Sequence, residues 1–309
     1  MPEPKKLNAN YLLGDEPAEI KRLTSQHNFV KALFSNPTIL PSCIPPSKIH
    51  RVLDAAAGTT AWALDLSDQP FASLYEIHAC DITLSKFPPP DVLERAGIKT
   101  FEHDLTKPFG EEMKGAFDVV HASALVLALT EEGWRSMLRN VYDVLAPGGY
   151  LILADSDLLA YTADEDLPPD GTPYDIEERT SGSSAIHSMN NIIAGTALAS
   201  GSVIGLSYRL HYLLSSSSFT TISRKRIPAP TGALLSAQPH LAPFREEFTA
   251  NPVAILDTIT SALLSQGKLE VPRGTKVESE EARRKFVRDV REEVERGIRV
   301  VASEWVAQK

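Results

Sequence analysis

Two periodicities alternate along the chain. From residue 49 to residue 155, short apolar runs bounded by polar residues read as strands: Ile49 to Leu53, Leu74 to Cys80, Ile98 to His103, Phe117 to His121 and Tyr150 to Asp155. Between them lie segments with apolar positions at helical spacing, such as Trp134, Leu138, Val141 and Leu145. Strands alternating with helices predict βαβ units and a parallel sheet covered on both faces. The same helical period appears upstream in Ile20, Leu23, Phe29, Val30, Leu33 and Phe34, before four prolines between Pro37 and Pro46 break the chain. Downstream, helices are expected over 186–198, 207–214, 241–266 (interrupted at Pro252) and 278–296. Strands are expected from Phe219 to Ile227, ended by Pro228 and Pro230, and from Ile298 to Ala307. Residues 161–184, rich in Asp, Pro, Gly, Thr and Ser, read as an exposed loop.

The stretch Val52-Leu-Asp54-Ala55-Ala56-Ala57-Gly58-Thr59-Thr60 joins the first strand to the first helix through small side chains. A strand, a tight small-residue turn and a helix start direct backbone N–H groups at a polar ligand, and a larger Cβ would hold that ligand away. Asp54 argues against a pyrophosphate, which a carboxylate repels, and suits a ligand carrying an ammonium group. Further acids end the second and third strands. Asp81, 27 residues beyond Asp54, fits an acid that grips a ribose diol, for which the usual separation is roughly 20 residues; the alternative is a helix N-cap before Leu84. Asp104 and Leu105 follow the third strand, a position that on its own reads as a surface turn.

These residues resemble the class I S-adenosylmethionine-dependent methyltransferases, whose first motif is D/E-x-G-x-G-x-G after a strand. Asp54 and the middle glycine, Gly58, are kept; Ala56 and Thr60 stand where the outer glycines belong. Ala56 is tolerable in this pattern only with a negative φ. The resemblance extends through Asp104-Leu-Thr-Lys-Pro-Phe109, Phe117-Asp-Val-Val-His121 and the Pro147-Gly-Gly149 turn into a hydrophobic strand. Tyr11 followed by Glu19-x-x-Arg-Leu-x-x-Gln26-His27 is similar to the N-terminal lid of fungal small-molecule methyltransferases of secondary metabolism, gliotoxin-pathway enzymes included. The segment reads equally as an amphipathic helix covering a sheet edge.

The resemblance implies a Rossmann-like, seven-stranded, doubly wound α/β sheet with an antiparallel last strand, an N-terminal helical lid and helical insertions. It divides the chain into 1–46, lid and linker, and 47–309, the catalytic domain, with acceptor-side insertions at 156–215 and 228–280. It implies S-adenosylmethionine as cofactor, held by Tyr11, Gln26, Asp54, Ala55, Ala56, Gly58, Thr60, Asp81, Ile82, Asp104, Leu105 and His121. The activity it implies is in-line methyl transfer to an oxygen, nitrogen or sulfur of a small-molecule acceptor, where alignment outweighs acid–base help. His121, His27 and His187 are the candidate bases; His121 reads also as a buried residue shaping the pocket. Asn190, Tyr208, His211 and Tyr212 are candidate acceptor contacts. The competing readings are a methyltransferase-like regulator or a non-methylating cyclase that binds the same cofactor, and an NAD-dependent oxidoreductase.

Composition narrows the partners. With 309 residues, 43% hydrophobic, 23% charged and a net charge of -9, the chain has the make-up of a globular α/β protein. Its acidity disfavours nucleic acid, whose binding needs a basic surface. Two cysteines, Cys43 and Cys80, are too few for a disulfide framework. The first residues lack the apolar core of a signal peptide, and the longest apolar run, near Ala122 to Leu129, is too short to cross a bilayer. The expectation is a cytoplasmic or nuclear protein that uses neither metal nor membrane. Acceptor identity and oligomeric state are not legible in these residues.

Overall fold

Alternation of apolar strands and helices produces the expected parallel sheet. The computed structural model describes residues 17–35, 39–169, 174–271 and 275–309; Tyr11 lies outside them. In chain order the elements are α1 (Pro17–Phe34), β1 (Arg51–Ala55), α2 (Ala61–Ser67), β2 (Glu76–Asp81), α3 (Pro90–Arg95), β3 (Ile98–Glu102), β4 (Phe117–Ser123), α4 (Glu131–Val144) and β5 (Leu145–Ser156). There follow β6 (Tyr161–Thr162), α5 (Ile176–Thr180), α6 (Ala185–Ser200), α7 (Leu206–Ser216), β7 (Thr220–Pro230), α8 (Gly232–Ser236), α9 (Arg245–Ser265), α10 (Glu280–Arg296) and β8 (Ile298–Gln308). The strands pair in the order β3-β2-β1-β4-β5-β8-β6, with β7 also on β8. The pairs β1–β2, β1–β4, β2–β3 and β4–β5 are parallel. Gly148 N–H donates to the Lys309 carbonyl and Asp157 N–H to the Val301 carbonyl, so β8 runs antiparallel to β5. Seven strands were expected; the eighth is the two-residue β6, paired as Tyr161↔Arg299 and Thr162↔Ile298.

The described residues fall into two compact units, one drawn from 1–155, 209–225 and 303–309 and the other from 156–208 and 226–302; the lid-and-linker boundary expected at residue 46 lies inside the first. The prolines after α1 break the helix, but α1 still belongs to the first unit. The core of that unit gathers Val52, Trp62, Leu66, Ile77, Ile98, Val119, Ile152 and Val306. The second unit collects most of both insertions around Ile186, Met189, Leu256, Phe286, Val290 and Val294.

Several local signals act as their chemistry requires. Thr130 Oγ1 accepts from Gly133 N–H and caps α4, while Lys309 Nζ donates to the carbonyls of Tyr142 and Leu145 at its other end. In Ala146-Pro-Gly-Gly149, Gly148 has φ +79°. A Cβ on Gly149 would come within 2.9 Å of the Ala146 carbonyl oxygen and 3.1 Å of those of Phe117 and Asp118. Only glycine permits that approach. Two prolines behave otherwise than expected. β7 continues through Pro228 to Pro230, which an edge strand tolerates. α9 runs through Pro252 without interruption. Residues 161–184, expected as loop, contain β6 and α5. Cys43 and Cys80 are free thiols. Among the described residues no helix is long and apolar enough to cross a membrane.

Candidate functional site

β1 lies in the middle of the parallel strands, and its carboxyl end delivers the small-residue turn. Such a crevice beyond strand ends is where open α/β sheets bind ligands. The turn alternates left-handed residues: Ala56 has φ +54°, Gly58 +56° and Thr60 +58°. The negative φ expected at Ala56 is therefore not what the chain adopts. The backbone keeps the shape that glycine would favour, because neighbouring hydrogen bonds over-determine it: Ala57 N–H donates to the Cys80 carbonyl at 2.9 Å and Thr60 N–H to the Ala57 carbonyl at 2.7 Å. Burial holds the Cys80 thiol well above its ordinary pKa, so it is a packing residue.

Asp81, at the tip of β2, closes the turn from the neighbouring strand. Its Oδ2 accepts from Gly58 N–H at 2.8 Å and its Oδ1 from Ile82 N–H at 2.7 Å. Burial pushes its pKa up, against the pull of these N–H groups and of the Lys86 ammonium. The carboxylate also takes an N–H bond from Thr83, which leaves part of its acceptor capacity for a further donor. No helix begins before Leu84, so the N-cap alternative fails; the next helix, α3, starts at Pro90. Ile82 beside it is 45% exposed, an apolar surface next to a mostly buried carboxylate. At the tip of β3, Asp104 Oδ1 accepts from Thr106 N–H and Oγ1, and the Leu105 carbonyl is held by Asn140 Nδ2. That is an Asx turn, with Oδ2 turned to neither group.

Asp54 is placed differently from its neighbours. It is 1% exposed; Oδ1 meets His121 Nδ1 at 2.8 Å and Oδ2 accepts from Ala63 N–H at 3.2 Å. Strand register makes this pair, since Asp54 and His121 are partners on β1 and β4. Trp62 stacks on the imidazole, with ring centroids 4.2 Å apart and planes 4° from parallel. Within the protein the Asp54 carboxylate ties β4 and the start of α2 to the end of β1.

α1 lies against this assembly. Thr24 Oγ1 donates to Thr59 Oγ1 at 3.2 Å, His27 Nε2 meets Asp65 Oδ2 at 3.0 Å, and Lys31 Nζ donates to Asp65 at 2.7 and 2.9 Å. Gln26 Oε1 accepts from Arg22. Trp62 and Asp65 are three residues apart on α2 and share a face, so His27 and His121 approach one another. The His27 pKa is lowered by burial and by that second imidazole, against the pull of Asp65. Burial would raise the Asp65 pKa, but Lys31 and His27 hold it below the usual carboxylate range.

His187 belongs to the second unit, where Nδ1 meets Ser184 Oγ at 2.7 Å and Nε2 lies 3.8 Å from Glu165. Asn190, a candidate acceptor contact, is a clasp: it donates to the carbonyls of Ala160 and Arg179 and accepts from Ala160 N–H. In the same unit Asp157, 2% exposed, accepts from Ser207 N–H and Oγ, both at 2.7 Å. Tyr208 lies under the Arg226 guanidinium at 3.9 Å, and His211 and Tyr212, in the first unit, meet edge to face with ring centroids 5.5 Å apart. Trp62, Asp65, Thr59 and Arg22 were not anticipated. Thr59 lay in the turn and Arg22 in the quoted helix motif, but for Trp62 and Asp65 the signal was helical spacing, which does not say what a helix face will meet.

No protein-family model matches the chain. N-methyltransferase tcpN of Claviceps purpurea is 30% identical over 147 residues, 46% of this chain and 50% of that protein. The chain resembles the class I methyltransferases of fungal secondary metabolism. Secondary metabolism regulator laeA of Gibberella zeae is 26% identical over 162 residues, 51% of this chain and 48% of its own. This methyltransferase-like chain thus matches about half the length of these curated relatives. Among solved structures, phosphoethanolamine N-methyltransferase 2 of Haemonchus contortus, in complex with S-adenosyl-L-methionine, covers 100% of the chain and 61% of its own, with 11% identity and a TM-score of 0.47.

Proposed function

We propose that this chain binds S-adenosylmethionine over the turn 55–60 and transfers its methyl group to a small-molecule acceptor. The carrying observation is the convergence on one turn of the tips of β1 and β2: Asp81 reaches across to Gly58 N–H while keeping part of its acceptor capacity. The residues fit the cofactor in kind. Asp81 would take the ribose hydroxyls, the exposed Ile82 would lie against the adenine, and Asp104 Oδ2 would accept from its amino group. The cofactor supplies a methyl on a sulfonium, which leaves as a neutral thioether.

What the protein adds is alignment. His121 is 4% exposed, stacked and tied to Asp54, which suits a positioning residue for the turn. His27, through Asp65, fastens α1. His187 sets the start of α6 with Ser184. The relatives' names support transfer to nitrogen in some cases, and we infer a small metabolite as acceptor from the same resemblance. The free Cys43 and Cys80 support a reducing compartment, and we infer the cytosol.

Isothermal titration with S-adenosylhomocysteine and with NAD tests the reading. Binding of the first alone is expected, and binding of NAD alone would overturn it. Asp81→Ala should weaken S-adenosylhomocysteine by about 1–3 kcal/mol, through loss of charge-assisted hydrogen bonds; unchanged affinity would remove Asp81 from the site. Mass spectrometry of a fungal extract incubated with enzyme and methyl-labelled cofactor then identifies the acceptor.

A further inference from the structure

The second unit carries a cluster of phenols that the cofactor reading leaves unused: Tyr161, Tyr174 and Tyr208 all belong to it, with Asp157 beside them. Asp157 follows β5 and is fixed from two sides. Its N–H donates to the Val301 carbonyl at 2.8 Å, and its two oxygens accept from Ser207 N–H and Oγ. The second contact brings the start of α7, and Tyr208 with it, up to Asp157. The Tyr174 ring lies on the backbone just before α7. A Cβ at Gly205, where φ is +67°, would come within 2.6 Å of two of its ring carbons, so a side chain there would push the ring away. The Tyr174 and Tyr208 ring centroids are 5.0 Å apart.

Two hydroxyls in this cluster are unanswered. Those of Tyr174 and Tyr208 are buried with no hydrogen-bond partner among the described residues. A buried phenol ordinarily finds one, and phenylalanine would fill the same space without desolvating an oxygen. Packing alone therefore does not account for either choice. The polar ends converge: after burial itself, Asp157, Tyr161 and Tyr208 each push the Tyr174 pKa up. Tyr174 thus keeps its proton and presents an O–H donor. Charge around it is already balanced. Arg179 stacks over Tyr161 at 4.3 Å and is paired with Glu165 and Glu178 at 3.0 Å each. Burial raises the Asp157 pKa, and the Ser207 donors and the Arg226 guanidinium over Tyr208 draw it back. A charged ligand would enter this buried setting without a counterion, at a cost that an uncharged oxygen acceptor avoids.

We propose that the second unit binds a small, uncharged carbonyl compound, whose carbonyl oxygen accepts from the Tyr174 and Tyr208 hydroxyls. The inference goes beyond the cofactor reading and does not rest on it, since no residue of the turn 55–60 takes part.

Ligand-observed fluorine NMR on the full chain, without cofactor, tests this. The probes are para-fluorobenzamide, para-fluoroacetophenone and para-fluorobenzoate, alike in shape and different in charge. The parent should bind the amide and the ketone saturably, and the benzoate about tenfold more weakly or worse. Tyr174→Phe and Tyr208→Phe, in protein that melts like the parent, should each weaken the amide about threefold to tenfold, the loss of one net hydrogen bond. Tyr212→Phe, on a ring 72% exposed in the first unit, should leave it unchanged. No saturable binding of either neutral probe by the parent would overturn the proposal, as would tighter binding of the benzoate. Unchanged amide affinity in either well-folded Phe variant would also overturn it. If one of the two does not fold, the other carries the test. Each of these failures leaves the cofactor reading standing, because S-adenosylhomocysteine binding is measured separately.

Discussion

At the scale of single residues, the turn at 55–60 is held in a shape that its side chains resist. Ala56 and Thr60 adopt left-handed conformations in which a Cβ crowds the backbone. The Thr60 hydroxyl is also buried with no hydrogen-bond partner among the described residues, a cost of its own. The chain tolerates both because Asp54, Asp81 and the Cys80 carbonyl hold the loop from three directions. Ala56→Gly should therefore stabilise the protein by about 0.5–1 kcal/mol, relief of the left-handed strain exceeding the entropy gained by the unfolded chain. Chemical denaturation checks this, and a loss of stability would mean that the Ala56 methyl packs favourably enough to cancel the strain. Asp54, Gly58 and Asp81 were legible as a set because they follow strands at fixed intervals. The burial of Asp54 against His121 was not, since nothing local says which way a strand-end carboxylate points.

Elements are stabilised by a few polar clasps placed where backbone groups would otherwise be orphaned. Asn190 of α6 is the clearest: 1% exposed, it satisfies both backbone groups of Ala160 and the carbonyl of Arg179 at the end of α5. Asn190→Leu would leave three buried polar groups unpaired and should cost on the order of 3 kcal/mol or more. Urea titration of the variant measures this, and a cost below about 1 kcal/mol would show that solvent replaces the clasp. The strands of the parallel sheet and the longer helices were read from the sequence to within a few residues, because period is local, whereas the short β6, α5 and α8 were not. α9 was misread at Pro252 and β7 at Pro228, since a proline signal does not reveal whether the N–H it removes had a partner to lose.

For the whole molecule, one buried group in each unit responds to acid, and the two do so in opposite senses. In the second unit, burial raises the Asp157 pKa from 3.8 to about 6. A carboxyl whose folded pKa exceeds its unfolded one adds stability that is full below the unfolded value and lost as pH rises through about 6. Between pH 7 and pH 4 Asp157 should thus add stability to the second unit, on the order of 3 kcal/mol, as the difference between the parent and Asp157→Asn. In the first unit, His27 is shifted down, chiefly by burial, so the attachment of α1 weakens as pH falls below the ordinary 6.5. Hydrogen exchange resolved along the chain should show slower opening in 156–208 and 226–302 and faster opening in 17–34 on acidification. Parallel changes in both would contradict the opposed linkage, and Asp157→Asn should flatten the first trend alone.

The sequence by itself determined the order of strands and helices, the small-residue turn after β1, and the acids at the tips of β2 and β3. These depend on period, turn chemistry and neighbouring residues, all of which lie within a short stretch of chain. Only the tertiary structure decided that Ala56 is left-handed, that Asp54 turns inward to His121, that Asp65 fastens α1, and that the insertions gather into a second unit. Each of those depends on groups brought together from distant positions, and packing and electrostatics choose among such partners only once the chain has folded.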